Sequence, residues 1–185
     1  MELEADILAG LIETYHIGPA ILFGHSDGAS IALISAAKYP GKVSAIITEG
    51  AHIFVEDETL EGIRAAINAY QTTDLKTKLE KYHGDKTDAM FHAWAQTWTT
   101  DAYRSWNIER FLPLIHCPAL VIQGEQDEYG TLKQVDGIVN QVSGTAEKRY
   151  LPNVKHTPHK EVPELILDMS AAFITAFIAN EKDQS

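Results

Sequence analysis

Leu3, Ile7, Leu11 and Tyr15 recur at four-residue intervals near the start of the chain, with Leu8 and Ile12 beside them. That interval keeps side chains on one face of an α-helix, and Gly18-Pro19 ends the pattern. The period then changes. Ala20 to Phe23 is a short continuous apolar run, the mark of a strand buried on both faces of a parallel sheet. Ala29 to Tyr39 reads as a helix of small residues stopped by Pro40-Gly41. Val43 to Thr48 reads as a second strand, Ala119 to Gln123 as a third after Pro118, and Lys148 to Leu151 as a fourth. Glu164 to Ala179 is a closing amphipathic helix. Strands alternating with helices predict an α/β fold, a parallel sheet of about four strands with flanking helices.

Residues 56 to 111 break this alternation. The segment is helical in period and rich in aromatics, among them Phe91, Trp94 and Trp98. A helical insertion of this size after a strand is expected to cap the carboxyl ends of the strands, which makes Phe91, Trp94 and Trp98 candidate pocket residues. The aromatics could equally bury the insertion against the sheet, and the two roles are compatible. With no repeat, low-complexity tract or linker in the sequence, residues 1–185 are expected to form a single domain.

Composition narrows the range of partners. Hydrophobic residues make up 45% of the 185 and charged residues 22%, as in ordinary soluble domains. The formal net charge of −11 argues against nucleic acid and anionic membrane surfaces, which attract clustered Lys and Arg. Apolar runs are strand-sized, the first ten residues are acidic, and the single cysteine, Cys117, has no partner in the chain for a disulfide. A reducing cytoplasm is the expected location, and Cys117 is expected to be an inert buried thiol. No spacing of His, Cys or carboxylates suggests a metal site and no glycine-rich phosphate loop is present, so neither metal nor cofactor is expected.

The chemistry concentrates where the first strand meets the next helix, at Gly24-His25-Ser26-Asp27-Gly28. A plain strand-to-helix turn needs one glycine and a cap; here a glycine stands two residues to either side of a serine. A tight turn with glycine at both positions would lift the serine oxygen clear of the backbone at the amino end of the helix. There the helix dipole and the Asp27 N–H could stabilise negative charge. A serine hydroxyl needs a base, and the base needs an orienting carboxylate. Three carboxylates, Glu125, Asp127 and Glu128, follow the third strand in Gly124-Glu125-Gln126-Asp127-Glu128. His156 follows the last strand, and its neighbour His159, entering a helix, is expected to cap or lie at the surface. His25 is expected to pack beside the serine, its side chain pointing elsewhere. Glu49 and His52 close the second strand at its carboxyl end, where open α/β sheets bind ligands, and could line a pocket or equally cap the turn.

Taken together, "GHSDGASIAL", "HCPALVIQGEQDEYG" and "KHTPHKEVPE" resemble the elbow, acid loop and histidine loop of the α/β-hydrolase superfamily, in particular its capped bacterial esterase-like members. The resemblance runs through most of the chain. It implies Ser26 as nucleophile, Asp127 as orienting acid by its match to a G-x-x-D loop, and His156 as general base. It further implies hydrolysis of a small-molecule acyl substrate, an ester, thioester or related bond, through an acyl-enzyme and without a cofactor. One departure stands out. Superfamily members usually begin with further strands, including an "HG"-type loop that gives a second oxyanion donor, and here no such loop precedes Ser26. This partial α/β-hydrolase fold should leave the 20–23 strand with an open apolar edge, so pairing across it is expected, as a homodimer or with a missing amino-terminal piece. The alternative reading is a truncated, non-catalytic remnant that serves as a binding or assembly module.

Overall fold

The computed structural model describes residues 1–183. Helix α1 (Glu2–Thr14) leads into β1 (Ala20–His25), α2 (Asp27–Lys38) and β2 (Val43–Glu49). Three helices follow, α3 (Asp57–Thr72), α4 (Leu75–His83) and α5 (Thr87–Thr99), together with short 3₁₀ turns. The chain then re-enters the sheet with β3 (Ala119–Gly124), α6 (Leu132–Gln141) and β4 (Ala146–Leu151), and finishes through α7 (Pro158–Glu161) and α8 (Pro163–Asp183). The strands lie in the order β1-β2-β3-β4, all parallel, so successive strands are also neighbours.

Side-chain alternation along the central strands divides the core into two layers. Ile46 and Val121 face one side, against Leu33 of α2 and Ile138 of α6. Ala45, Ile47, Leu120 and Ile122 face the other, against Ile166 and Phe173 of α8. This two-sided burial is why Ala45 to Ile47 of β2 and Ala119 to Ile122 of β3 read as continuous apolar runs. The small residues Ala29, Ser30, Ala32 and Ala36 let α2 lie close against the sheet, which places its amino end at the tip of β1. A third apolar cluster, Ile63, Tyr70, Phe91, Ala95 and Trp98, packs the helices between β2 and β3 on one another.

The structure shows which way the apolar face of α1 points and corrects the expectation for β1. The stripe Leu3, Ile7, Leu11 and Tyr15 faces outward, Tyr15 being 71% exposed, and the buried face of α1 is Ala5, Ala9 and Ile12. β1 is not buried on both faces, Phe23 being 50% exposed, and among the described residues it pairs with β2 alone. The physical reason is shared, since α1 and β1 together form one flank of the described sheet and only their inner sides meet the core. β4 begins at Ala146, two residues before the expected start, and its exposed middle marks it as the other edge. Among the described residues no helix is long and apolar enough to cross a membrane.

The register decides where the loops emerge. His25 pairs opposite Glu49, Glu49 opposite Ile122, and Gly124 opposite Leu151. The carboxyl ends of all four strands therefore stand near one level, and the chain leaving each of them enters the same region.

Candidate active site

Ser26 stands between the end of β1 and the first turn of α2 with φ 56° and ψ −124°. This left-handed region costs a non-glycine residue roughly 1–3 kcal/mol and persists where the surroundings over-determine it. The Ser26 N–H donates to the Glu49 carbonyl at 2.8 Å, and the Ser26 carbonyl accepts from Ala29 and Ser30 at 2.9 and 3.2 Å. Close packing also dictates Gly24, where a Cβ would stand 2.4 Å from the Gly28 carbonyl oxygen. The same requirement, expected at Gly28, does not hold: a Cβ there would meet nothing within 4 Å. Gly28 lies inside α2, and it is its backbone, not its missing side chain, that the turn crowds.

The structure brings three of the singled-out side chains into one hydrogen-bonded line. Ser26 Oγ lies 3.0 Å from His156 Nε2, and His156 Nδ1 lies 2.9 and 3.0 Å from the two oxygens of Asp127. The Asp127 side chain is 1% exposed and that of His156 10%. Asp127 accepts a further hydrogen bond from the Tyr129 N–H at 2.8 Å, which fixes its plane. A carboxylate at Nδ1 calls for the tautomer with the proton on Nδ1, leaving Nε2 as the acceptor facing the serine hydroxyl. Of the competing acids, Glu128 accepts from the His156 N–H at 3.3 Å, while Glu125 contacts the Asn153 N–H at the exposed rim. The Asp27 N–H heads α2, where the first N–H groups of a helix have no intrahelical acceptor. Burial raises the Asp27 carboxyl, opposed chiefly by a hydrogen bond from the Trp98 side chain.

A cavity of about 300 Å³ opens over this line. His25, Ser26, Asp27, His52, His156 and Tyr129 form its floor and one side; Thr59 and Ile63 of α3 with Trp94 and Trp98 of α5 form the other. His52 packs edge-on to Trp98 with ring centroids 5.3 Å apart, donates from Nε2 to the Tyr129 carbonyl at 3.0 Å, and is held neutral by burial. Phe91, expected at this pocket, lies one layer back, stacked on Tyr70 at 3.9 Å and lining a neighbouring apolar cavity of about 410 Å³. Glu49 does not line the catalytic cavity either: its carboxylate is wholly buried and takes a 2.6 Å hydrogen bond from His159 Nδ1. His159, expected to cap or lie at the surface, is partly exposed at 35% and also reaches from α7 to Glu49. Cys117 is half-buried, and burial pushes its thiol up to about 11. Among the described residues no group of three or more His, Cys, Asp or Glu is placed to hold a metal ion.

Several residues at the site carry no motif. Gly50 has φ +56°, and a Cβ there would sit 2.9 Å from His156 Cε1 and 3.3 Å from Asp127 Oδ2. Gly124 lets the end of β3 approach the histidine loop so closely that a Cβ would be 2.2 Å from the Val154 carbonyl oxygen. Tyr129 lies over His156 with ring centroids 4.6 Å apart and borders both cavities. A glycine directly after a buried strand was a readable signal for Gly50; nothing local distinguishes Tyr129.

A parallel sheet with a strained serine at the tip of one strand and a carboxylate and histidine beyond two others is the α/β-hydrolase fold, and the chain's homologues and structural neighbours are members of that superfamily. The chain is 32% identical over 168 residues to human serine hydrolase BPHL, an alignment covering 85% of this chain and 55% of that protein. It is 27% identical over 154 residues to 2-hydroxy-6-oxononadienedioate/2-hydroxy-6-oxononatrienedioate hydrolase of Burkholderia vietnamiensis, covering 69% of this chain and 53% of that one. Among solved structures, an esterase from Rhodococcus sp. ECU1013 superposes with a TM-score of 0.67 at 18% identity, covering 94% of this chain and 71% of the esterase. No family model matches the chain. The chain spans about half the length of the curated relatives it matches.

Proposed function

We propose that the protein is a serine hydrolase that cleaves a carboxylic ester or thioester through an acyl-enzyme. The observation that carries this reading is the unbroken line from Ser26 Oγ through His156 to Asp127, with 3.0 Å and 2.9 Å contacts, at the floor of a cavity. Ser26 Oγ attacks the acyl carbon while its proton passes to His156 Nε2. The resulting imidazolium is stabilised by Asp127, which remains ionised throughout. The carbonyl oxygen, now negative, faces the Asp27 N–H at the amino end of α2. Collapse breaks the bond to the alkoxide or thiolate, which leaves with the proton from Nε2. Water then attacks the acyl-serine, gives its proton to His156, and the acid departs as Ser26 regains its hydrogen.

Trp94, Trp98 and Ile63 on the far wall favour an apolar acyl or leaving group. The elbow supplies one backbone donor to the oxyanion, the Asp27 N–H, and a single such donor is typically worth about 10²–10³ in rate. Activated p-nitrophenyl esters, whose leaving group needs little protonation, are the substrates on which turnover is most readily measured. A second reading, a binding or assembly module, is favoured by the half-exposed β1 and the outward apolar stripe of α1. Labelling with an active-site fluorophosphonate separates them: wild type should react and Ser26→Ala should not. Equal labelling of the two would remove catalysis through Ser26.

A further inference from the structure

The base in the proposed mechanism works only while its ring stays at the serine, and its ring is carried by a loop. Every polar handle of His156 is taken. Its ring nitrogens meet Ser26 and Asp127, its N–H donates to Glu128, and its carbonyl lies 2.7 Å from His25 Nε2. A carbonyl only accepts, so His25 carries its proton on Nε2 and donates. His25 is the last residue of β1, rigidly placed by the ladder to β2, whereas residue 156 sits between β4 and α7. The hydrogen bond thus ties the loop residue to the end of a strand.

A second pair stands behind the first. The His25 ring lies between those of His156 and His159, 4.9 Å from each centroid. His159 in turn holds the Glu49 carboxylate at 2.6 Å, and Glu49 is the residue opposite His25 in the strand register. Glu49 also accepts the Ser26 N–H through its carbonyl. One residue therefore anchors the nucleophile's backbone with its main chain and the histidine loop with its side chain. Burying a carboxyl group costs free energy even when it is hydrogen-bonded, so packing alone gives no reason for a wholly buried glutamate here.

We propose that His25, backed by the Glu49–His159 pair, is a positioning residue that keeps the His156 imidazole at Ser26 by fixing the carbonyl of residue 156. The proposal rests on the serine-hydrolase reading for its effect on rate. Burial pushes the His25 imidazole down to about 4, so the ring remains a neutral donor through the neutral range.

The experiment compares His25→Gln, whose side-chain amide can donate from nearly the same place, with His25→Phe, which keeps the ring shape and loses the donor; His159→Phe tests the backing pair. On p-nitrophenyl acetate, His25→Phe should lower kcat by about 10–100-fold with KM unchanged, the scale of a misplaced catalytic group, and His25→Gln should recover most of that loss. His159→Phe should fall between. Equal kcat in wild type and His25→Phe, or His25→Gln falling as far as His25→Phe, would overturn the proposal. The far-downfield Nδ1–H proton resonance of His156, recorded for each His25 variant in a Ser26→Ala background, gives a readout that needs no turnover. It should shift or broaden with Phe and persist with Gln. If Ser26 proves inert to fluorophosphonate but this pattern appears, the hydrolase reading fails and the positioning role stands; an unchanged resonance in all variants overturns the role itself.

Discussion

Gly50→Ala is the sharpest probe of the site, because backbone strain and steric push can be separated there. Gly50 has φ +56°, a conformation that costs an L-residue roughly 1–2 kcal/mol. Gly18 has φ +74° with nothing within 4 Å of its missing Cβ, and it lies between α1 and β1, before the elbow strand. Gly18→Ala should therefore carry the strain without the push. Both variants should lose about 1–2 kcal/mol, or roughly 2–8 °C in Tm for a chain of this size. Only Gly50→Ala adds a methyl 2.9 Å from His156 Cε1 and 3.0 Å from Nδ1, several tenths of an ångström inside ordinary contact. The imidazole must yield, stretching its line to Ser26, and displacements approaching 1 Å cost about 10²-fold in rate. Thermal melts and steady-state hydrolysis of p-nitrophenyl acetate on both variants supply the comparison. Gly18→Ala should keep wild-type kcat, while Gly50→Ala should lose about 10–100-fold. Matching melts with matching, near-wild-type rates would show that the ring either has slack at Gly50 or plays no part in turnover.

Asp127→Asn should preserve the fold and lower kcat by about 10⁴, because an amide favours the wrong imidazole tautomer; a loss under tenfold on the same ester would assign the acid elsewhere. His25 gives a pH effect on stability. Its folded pKa of about 4 lies below the usual 6.5, so the unfolded chain takes up the proton first and stability falls as pH drops from about 6.5 to 4. Allowing for solvent screening of a partly exposed ring, this is about 1–2 kcal/mol. Urea melts of His25→Gln should show a correspondingly flatter pH profile in that window, and parallel profiles would refute the assignment. The apolar cavity behind Trp94 and Tyr129 predicts that kcat/KM rises along a series from p-nitrophenyl acetate to octanoate. Leu79→Trp should remove the gain for the long esters and leave acetate unaffected; a flat wild-type series would refute it. The outward stripe of α1 with Phe23 predicts concentration-dependent association, abolished in sedimentation by Leu11→Lys with Phe23→Lys. A compact monomer for wild type across micromolar concentrations would contradict it.

How much of this was legible in the sequence depended on whether a signal was local. The strands β2 and β3 and the helix α2 announce themselves because both faces of each strand are buried and the helix is built from small residues. Ser26 was readable from its flanking glycines, and Asp127 and His156 from their places after β3 and β4. The facing of α1 was not, since a leucine stripe at helical spacing says which residues share a face and not which face meets the core. Phe91 and Glu49 were misplaced for a related reason. Both sit on elements that border the cavity, and whether such a side chain points into it depends on rotation and on partners distant in sequence, Tyr70 for the one and His159 for the other. Gly50 and Tyr129 act through contacts with His156 more than a hundred and about twenty-five residues away, which no pattern within either segment encodes.

The geometry also divides the labour between the sheet and the helices above it. Ser26 follows β1 at once, Gly50 follows β2, and Asp127 and His156 stand a few residues beyond β3 and β4. Because the strand ends share one level, the hydrogen-bonded line needs no long loop to close it, and its parts inherit the rigidity of two fully packed strands. The cavity's opposite wall comes from α3 and α5, which pack chiefly on one another through a separate apolar cluster. Substitutions at the strand ends should therefore alter kcat through the position of the imidazole. Substitutions at Ile63, Trp94 or Trp98 should instead alter KM and the choice of ester while leaving the serine's reactivity toward a small fluorophosphonate intact. That separation follows from where each wall is anchored.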